Sequence, residues 1–301
     1  LVNVGRGPAQ GVVVSVVDLV FVFVAGLVTA LATGLGVLPF FLFDDIPDRW
    51  NVALWGVASG IMLAASGFGL FAEGLAASEG LPVSLAVGVV GGVVLVVVAD
   101  RVLARVDVGG TRAADGGRVR GEASHDHAPA LPEAVAEGDL RSLVLILGVL
   151  TVHSFPEGVA IGVSFADLGL GGGVPVLGVA VPVLAVFMTV AISIHNVPEG
   201  TAIAIPLRSM AVSEPRIVGA AVFSSLPQPI GAVIAFAFVR WARAFLPFGF
   251  GFAAGAMVYL VLTEFVPEAL DLGADLPGGG RRELAAGVAA GVALMLPLLV
   301  V

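Results

Sequence analysis

His153-Ser154-Phe155-Pro156-Glu157-Gly158-Val159-Ala160-Ile161 and His195-Asn196-Val197-Pro198-Glu199-Gly200-Thr201-Ala202-Ile203 are two versions of one nine-residue phrase. Six of the nine positions agree at an offset of 42 residues. Each copy lies in a long apolar stretch, and the two stretches follow one another along the chain. If both cross a membrane as helices, they run in opposite directions. The shared phrase then faces itself across a pseudo-two-fold axis in the membrane plane, and inverted repeats with a polar site near the midplane mark transport proteins.

The composition supports the membrane reading. Of 301 residues, 58% are hydrophobic and 12% charged, with a mean hydropathy of +1.06. A soluble domain carries about 25% charged residues, so this chain has too little charge to clothe a soluble globule. It contains no cysteine, which excludes disulfides, thiolate metal sites and cysteine nucleophiles. A net charge of −9 without a basic stripe argues against a nucleic-acid partner.

A helical span needs about 20 mostly apolar residues. Eight stretches qualify, near 17–43, 51–75, 81–104, 141–166, 174–208, 215–240, 244–270 and 282–301. The first reads as a true span rather than a secretory leader. Leu1 is not a methionine, so further residues are expected upstream. The whole of 1–301 reads as a single all-α transmembrane domain. Its one polar stretch, 100–141, holds 14 of the 37 charged residues, and its interior, 105–140, reads as a flexible loop.

Arginine placement sets the orientation. With eight spans, one face receives Arg49, Arg101, Arg105, Arg112, Arg118, Arg120, Arg141, Arg208, Arg216, Arg281 and Arg282, and the other only Arg6, Arg240 and Arg243. The positive-inside rule puts the 105–140 loop in the cytoplasm and both termini outside.

A second, fainter repeat relates Gly56-Val57-Ala58-Ser59-Gly60-Ile61-Met62 to Gly251-Phe252-Ala253-Ala254-Gly255-Ala256-Met257 at an offset of 195, and the same offset brings Glu73 onto Glu268. Spans 1–3 and 6–8 become inverted partners around spans 4 and 5, a 3+2+3 arrangement.

His153 and Glu157 stand at i and i+4, on one helical face, and so do His195 and Glu199. Facing each other, they offer two imidazoles and two carboxylates, a tetrahedral set for a divalent metal whose charge they balance. A lone intramembrane histidine reads equally well as a helix–helix hydrogen-bond partner, but two matched copies favour ligands. Pro156 and Pro198 each leave a carbonyl without its helical donor beside the site. Ser154, Asn196 and Gln228 are candidates for a second metal position. Glu264 and Glu268, flanking Pro267, are candidates for a pathway, and His125 and His127 for a metal site in the loop. Glu73 has as good a claim to a solvated role, Asp18 reads as interfacial, and Met62 and Met257 read as packing.

The paired motifs, the eight spans and the histidine-bearing loop between spans three and four resemble the ZIP (Zrt/Irt-like) divalent-metal transporters, their prokaryotic GufA-like branch above all. The likeness extends to Thr29-Ala30-Leu31-Ala32-Thr33-Gly34-Leu35-Gly36, to Gly60-Ile61-Met62-Leu63-Ala64-Ala65-Ser66 and to Glu264-Phe265-Val266-Pro267-Glu268. The resemblance implies a metal held between spans 4 and 5, sometimes as a binuclear centre. His153, Glu157, His195 and Glu199 form the primary site in that reading. Ser154, Asn196 and Gln228, with the bridging glutamates, form the second position. It also implies uptake across the cytoplasmic membrane toward the cytoplasm, a homodimer in the lipid bilayer and an elevator-like movement. Three positions depart from the pattern: Ser154 replaces asparagine, Gln228 replaces glutamate and Thr263 replaces histidine. They make the second position more neutral, so one strong site is expected.

The expectation is therefore a transporter and not an enzyme. No catalytic cofactor is expected; the metal is the cargo. Zinc leads, and cadmium, iron, manganese, cobalt and nickel suit the same donors. The alternatives are an intramembrane metal-dependent hydrolase and a passive metal channel. The first is opposed by the lack of a His-Glu-x-x-His motif and by a site closed by four protein ligands.

Overall fold

The computed structural model describes residues 14–41, 47–105, 153–209 and 212–296. The 105–140 loop with His125 and His127, the first part of the expected fourth span and the last residues of the eighth lie outside the described residues.

Among the described residues, six segments are long and apolar enough to cross a membrane: Val16–Phe41, Asp48–Ala76, Val83–Val102, Val183–Ile205, Glu214–Trp241 and Arg243–Leu272. The molecule is accordingly mostly helical, since a backbone in lipid must satisfy its own hydrogen bonds. Helix α1 (Val16–Leu35) opens on a reciprocal cap in which the Asp18 amide donates to Ser15 Oγ and the Ser15 amide to Asp18 Oδ2, each at 3.1 Å. Then come α2 (Asp48–Ala64), a π-helical turn (Ala65–Phe71), α3 (Ala72–Ala76) and α4 (Val83–Arg105). Helix α5 covers 153–164. A hairpin of β1 (Val174–Val176) and β2 (Val179–Val181) leads into α6 (Val183–Ser209). The chain continues through α7 (Glu214–Ser224), α8 (Pro227–Trp241), α9 (Leu246–Leu260), a second π-helical turn (Val261–Phe265), α10 (Val266–Leu272) and α11 (Arg281–Met295).

The hairpin corrects the expected fifth span, which was to begin at 174. Val176 pairs with Val179, leaving a two-residue loop of Leu177 and Gly178. Both have positive φ, 48° and 82°, the conformation that joins tightly twisted antiparallel strands. Valines are as apolar in a strand as in a helix, so hydropathy could not separate the two.

Three of the expected spans are interrupted in ways that matter for the site. The sixth breaks at Ser225-Leu226, where Pro227 restarts the chain in the first turn of α8. The second and seventh carry their π-helical turns at overlapping places when aligned at the 195-residue offset. Single π turns within helices concentrate at functional sites.

Helix α2 packs along α11, and α4 along α9. Both seams are lined with glycine: Gly56 and Gly60 meet Gly287 and Gly291, while Gly88 and Gly92 lie against the Phe248 and Phe252 carbonyls. A second set packs α1 against α6, α7 and α8. Between the sets, α2 and its π turn contact α6 through large side chains. The neighbours of Gly69 there are Leu184, Phe187 and Met188, at 3.3–3.6 Å from where a Cβ would sit.

Candidate metal centre

Among the described residues, two groups of ligand-type side chains come together, and both draw on α5. In the first, Glu157 of α5 meets His195 and Glu199 of α6; in the second, His153 of α5 meets Asp100 of α4 and Glu264 of the second π turn. Within each trio the donor atoms lie within 4.8 Å of one another. A tetrahedral zinc with bonds of about 2.0–2.2 Å sets its donors roughly 3.4 Å apart, so the side chains of a trio would close in by up to about an ångström to share one.

The Glu157 trio is closed to solvent. The His195 side chain is 0% exposed and that of Glu157 3%. His195 Nε2 lies 2.8 Å from Glu157 Oε1. The imidazole is stacked on Phe265, with centroids 5.4 Å apart and planes at 24°. Trp55 braces that ring edge-on at 4.9 Å. Two polar atoms at this centre, His195 Nδ1 and Glu199 Oε2, are buried with no hydrogen-bond partner among the described residues. Two carboxylates beside one another at membrane depth are costly unless something positive joins them. A divalent cation fits the donor chemistry and the charge.

Small residues let the helices approach closely enough to build this centre. A Cβ at Gly200, just after Glu199, would overlap the Thr33 carbonyl of α1, and one at Gly158, just after Glu157, would overlap the Gln228 carbonyl of α8. The repeated glycine thus seats α6 on α1 and α5 on α8. Helix α6 runs unbroken through Pro198. Thr201 Oγ1 fastens it to the Gly36 carbonyl at 3.1 Å.

The second trio is more open. His153 is buried, but its Nε2 reaches Glu264 Oε1 at 3.0 Å and Asp100 Oδ1 at 3.4 Å, whose side chains are 33% and 38% exposed. Of the four residues expected at the primary site, three therefore stand together, while the His153 ring is turned to the neighbouring trio. The i, i+4 spacing separates His153 and Glu157 by about one 5.4 Å turn.

Behind the first trio lies a polar layer. Asn196 and Gln228 are fully buried there and bonded to one another and to Thr29. Ser154 is fully buried as well. Thr33 and Ser225 continue the layer, with their hydroxyls 2.7 Å apart. Glu264 enters the second trio, and Glu268 belongs to neither. Sequence reasoning missed Asp100, which it counted only among the loop charges. The available signal was an acidic residue on the last turns of an otherwise apolar span. It quoted Thr29 and Thr33 without giving them a role.

Comparison with known proteins bears on this geometry. A family model described as ZIP zinc transporter matches residues 112–298. A protein of Arabidopsis thaliana is 35% identical over 244 residues, which is 81% of this chain and 33% of that relative. Zinc transporter GufA of Myxococcus xanthus is 29% identical over 174 residues, 58% of this chain and 61% of the relative. Zinc transporter ZIPB of Bordetella bronchiseptica is 30% identical over 306 residues, 95% of this chain and 89% of the relative. The chain thus spans less than two thirds of the first two and most of the third. The matched model covers both copies of the His-x-x-Pro-Glu-Gly motif that builds the centre, and the chain belongs to the ZIP zinc transporter family.

Proposed function

We propose that this chain carries a divalent transition-metal ion, zinc above all, across the cytoplasmic membrane into the cytoplasm, with Glu157, His195 and Glu199 as its central ligands. The observation that carries the reading is the closed trio itself. Two carboxylates and an imidazole from the paired motif meet with polar atoms that have no hydrogen-bond partner among the described residues. Cadmium, iron(II), manganese, cobalt and nickel suit the same donors.

His153 serves two positions. Turned toward Glu157, it is the fourth ligand of the central site; turned as it stands here, it joins Asp100 and Glu264 in an exit station. The direction agrees with the arginine distribution, because Asp100 lies at the end of α4 that leads into the arginine-rich loop. The wetter exit station and the dry central site describe a conformation facing the cytoplasm.

The chain makes eight crossings in a 3+2+3 arrangement with both termini outside and the 105–140 segment in the cytoplasm. Support comes from the matching π turns and from the packing pairs. At the offset of 195, the glycines of α2 that face α11 become the glycines of α9 that face α4. The set built on α1, α5, α6 and α8 slides as a body against the rest, in an elevator-like movement across a seam of side chains. A homodimer completes the proposal by family likeness.

The test is zinc uptake into proteoliposomes loaded with a zinc-sensitive dye. Saturable, counterflow-capable uptake is expected, reduced roughly tenfold or more by Glu157→Ala and by His195→Ala. Cadmium, iron(II) and manganese as competitors rank the selectivity. Purified protein that binds zinc yet moves none would overturn the proposal.

A further inference from the structure

Gln228 sits in the first turn of α8, on the side of Glu157 that faces away from His195. It is fully buried, and both halves of its amide are engaged. Nε2 donates to Glu157 Oε2 at 2.5 Å and to Asn196 Oδ1 at 3.4 Å. Oε1 accepts from the Thr29 hydroxyl at 2.7 Å and from Asn196 Nδ2 at 3.1 Å. Asn196 is held in turn, its Nδ2 donating to the Thr29 carbonyl at 2.7 Å.

The two oxygens of Glu157 therefore have different partners. Oε1 faces the imidazole and Glu199, where polar atoms remain unsatisfied. Oε2 faces a neutral amide whose own oxygen is turned away and already accepts twice. On that side no ligating oxygen of Gln228 points at Glu157, and the amide hydrogens stand where a bridging cation would bind. Because the amide is neutral, the centre keeps a formal charge of −2 from Glu157 and Glu199, which one divalent ion balances.

We propose that Gln228 is the positioning residue that holds this centre to a single ion. Its amide takes the place of a second cation on Glu157 Oε2 and fixes Oε1 toward the first. The inference rests on Glu157, His195 and Glu199 being the ion site. Replacing the amide by a carboxylate puts an oxygen where Nε2 now donates. Two buried carboxylate oxygens at that separation cannot both stay ionised without a positive charge between them. Thr29 and Asn196 surround the position with further oxygens. Glu157 would then bridge two ions, one on each oxygen.

The experiment measures zinc content per chain in purified, monodisperse protein at mildly alkaline pH, together with zinc X-ray absorption. The absorption spectrum reports a metal–metal vector at about 3.5–4 Å only when two ions share a bridge, so zinc bound elsewhere on the chain does not contribute. The wild type is expected to show no such vector. Gln228→Glu is expected to show it and to bind one more zinc per chain. Gln228→Ala, which frees Glu157 without adding a ligand, is expected to show no vector and to bind the central zinc roughly 10–100-fold more weakly, the range for lost outer partners of metal ligands. A vector in the wild type, or none in a folded Gln228→Glu protein, would overturn the inference. Glu199→Ala separates the levels. If it loses zinc while the wild type shows a vector, only the single-ion inference falls; if it retains zinc undiminished, the site reading falls and takes the inference with it.

Discussion

At the scale of single residues, the centre is a problem in buried charge. Glu157 and Glu199 are 2% and 6% exposed, and among the described residues no arginine forms an ion pair with either. His195 is held flat by Phe265 and cannot swing away without breaking that stack. In the proposed reading the central ligands are thus fixed before the ion arrives, and the adjustable one is His153, whose Nε2 is shared between Glu264 and Asp100. A prediction follows from that asymmetry. Asp100→Asn keeps the shape of the exit station but removes one of its charges. Maximal zinc uptake should fall roughly tenfold, the lower end of what outer partners of a metal site cost, while zinc binding to the Glu157 trio, titrated on purified protein, should be unchanged. Equal weakening of binding and of uptake would mean that Asp100 belongs to the central site.

At the scale of elements, the helices are held by contacts too close for side chains. Gly200 presses on the Thr33 carbonyl and Gly36 on the Val197 carbonyl, so α1 and α6 meet backbone to backbone at the level of the motif. Gly200→Ala should therefore destabilise the fold by about 1–3 kcal/mol through overpacking, read as earlier thermal unfolding in detergent. Gly219→Ala, in α7 with nothing within 4 Å of the added methyl, should instead gain up to about 1 kcal/mol of helix propensity. The glycines after each glutamate were legible in the sequence because the motif repeats around them. So were most of the apolar spans, because a run of 20 such residues has few other uses. The hairpin at 174–181 was not read from hydropathy, which is the same for a strand and a helix of valines; Pro175 and Gly178 within the run were the signals that could have found it. The π turns were not legible either, since they add one residue per turn without altering composition. The reach of Glu264 to His153 depends on one of them, and that of Asp100 on the packing of α4 against α9. Neither contact has a local signature in the chain.

At the scale of the whole molecule, orientation decides whether the exit station opens into the cell or out of it. The aromatic residues at the ends of the bundle fit two interfaces. Trp50, 58% exposed, stands at the start of α2, and Trp241, 82% exposed, at the end of α8, where indoles favour the headgroup level. With eight crossings, Trp50 lies on the cytoplasmic side and Trp241 outside. The β1–β2 hairpin, between the fourth and fifth crossings, then lies outside as well, and Leu177 at its tip is 93% exposed. Because the chain has no cysteine, single cysteines report position without background. Leu177→Cys should react with a membrane-impermeant maleimide in intact cells. Asp126→Cys, in the polar stretch, should react only after the membrane is opened. The reverse pattern would turn the molecule over, making Asp100, His153 and Glu264 the receiving station and the same central trio part of an export path. Labelling of both positions in intact cells would instead break the even count of crossings on which the 3+2+3 arrangement depends.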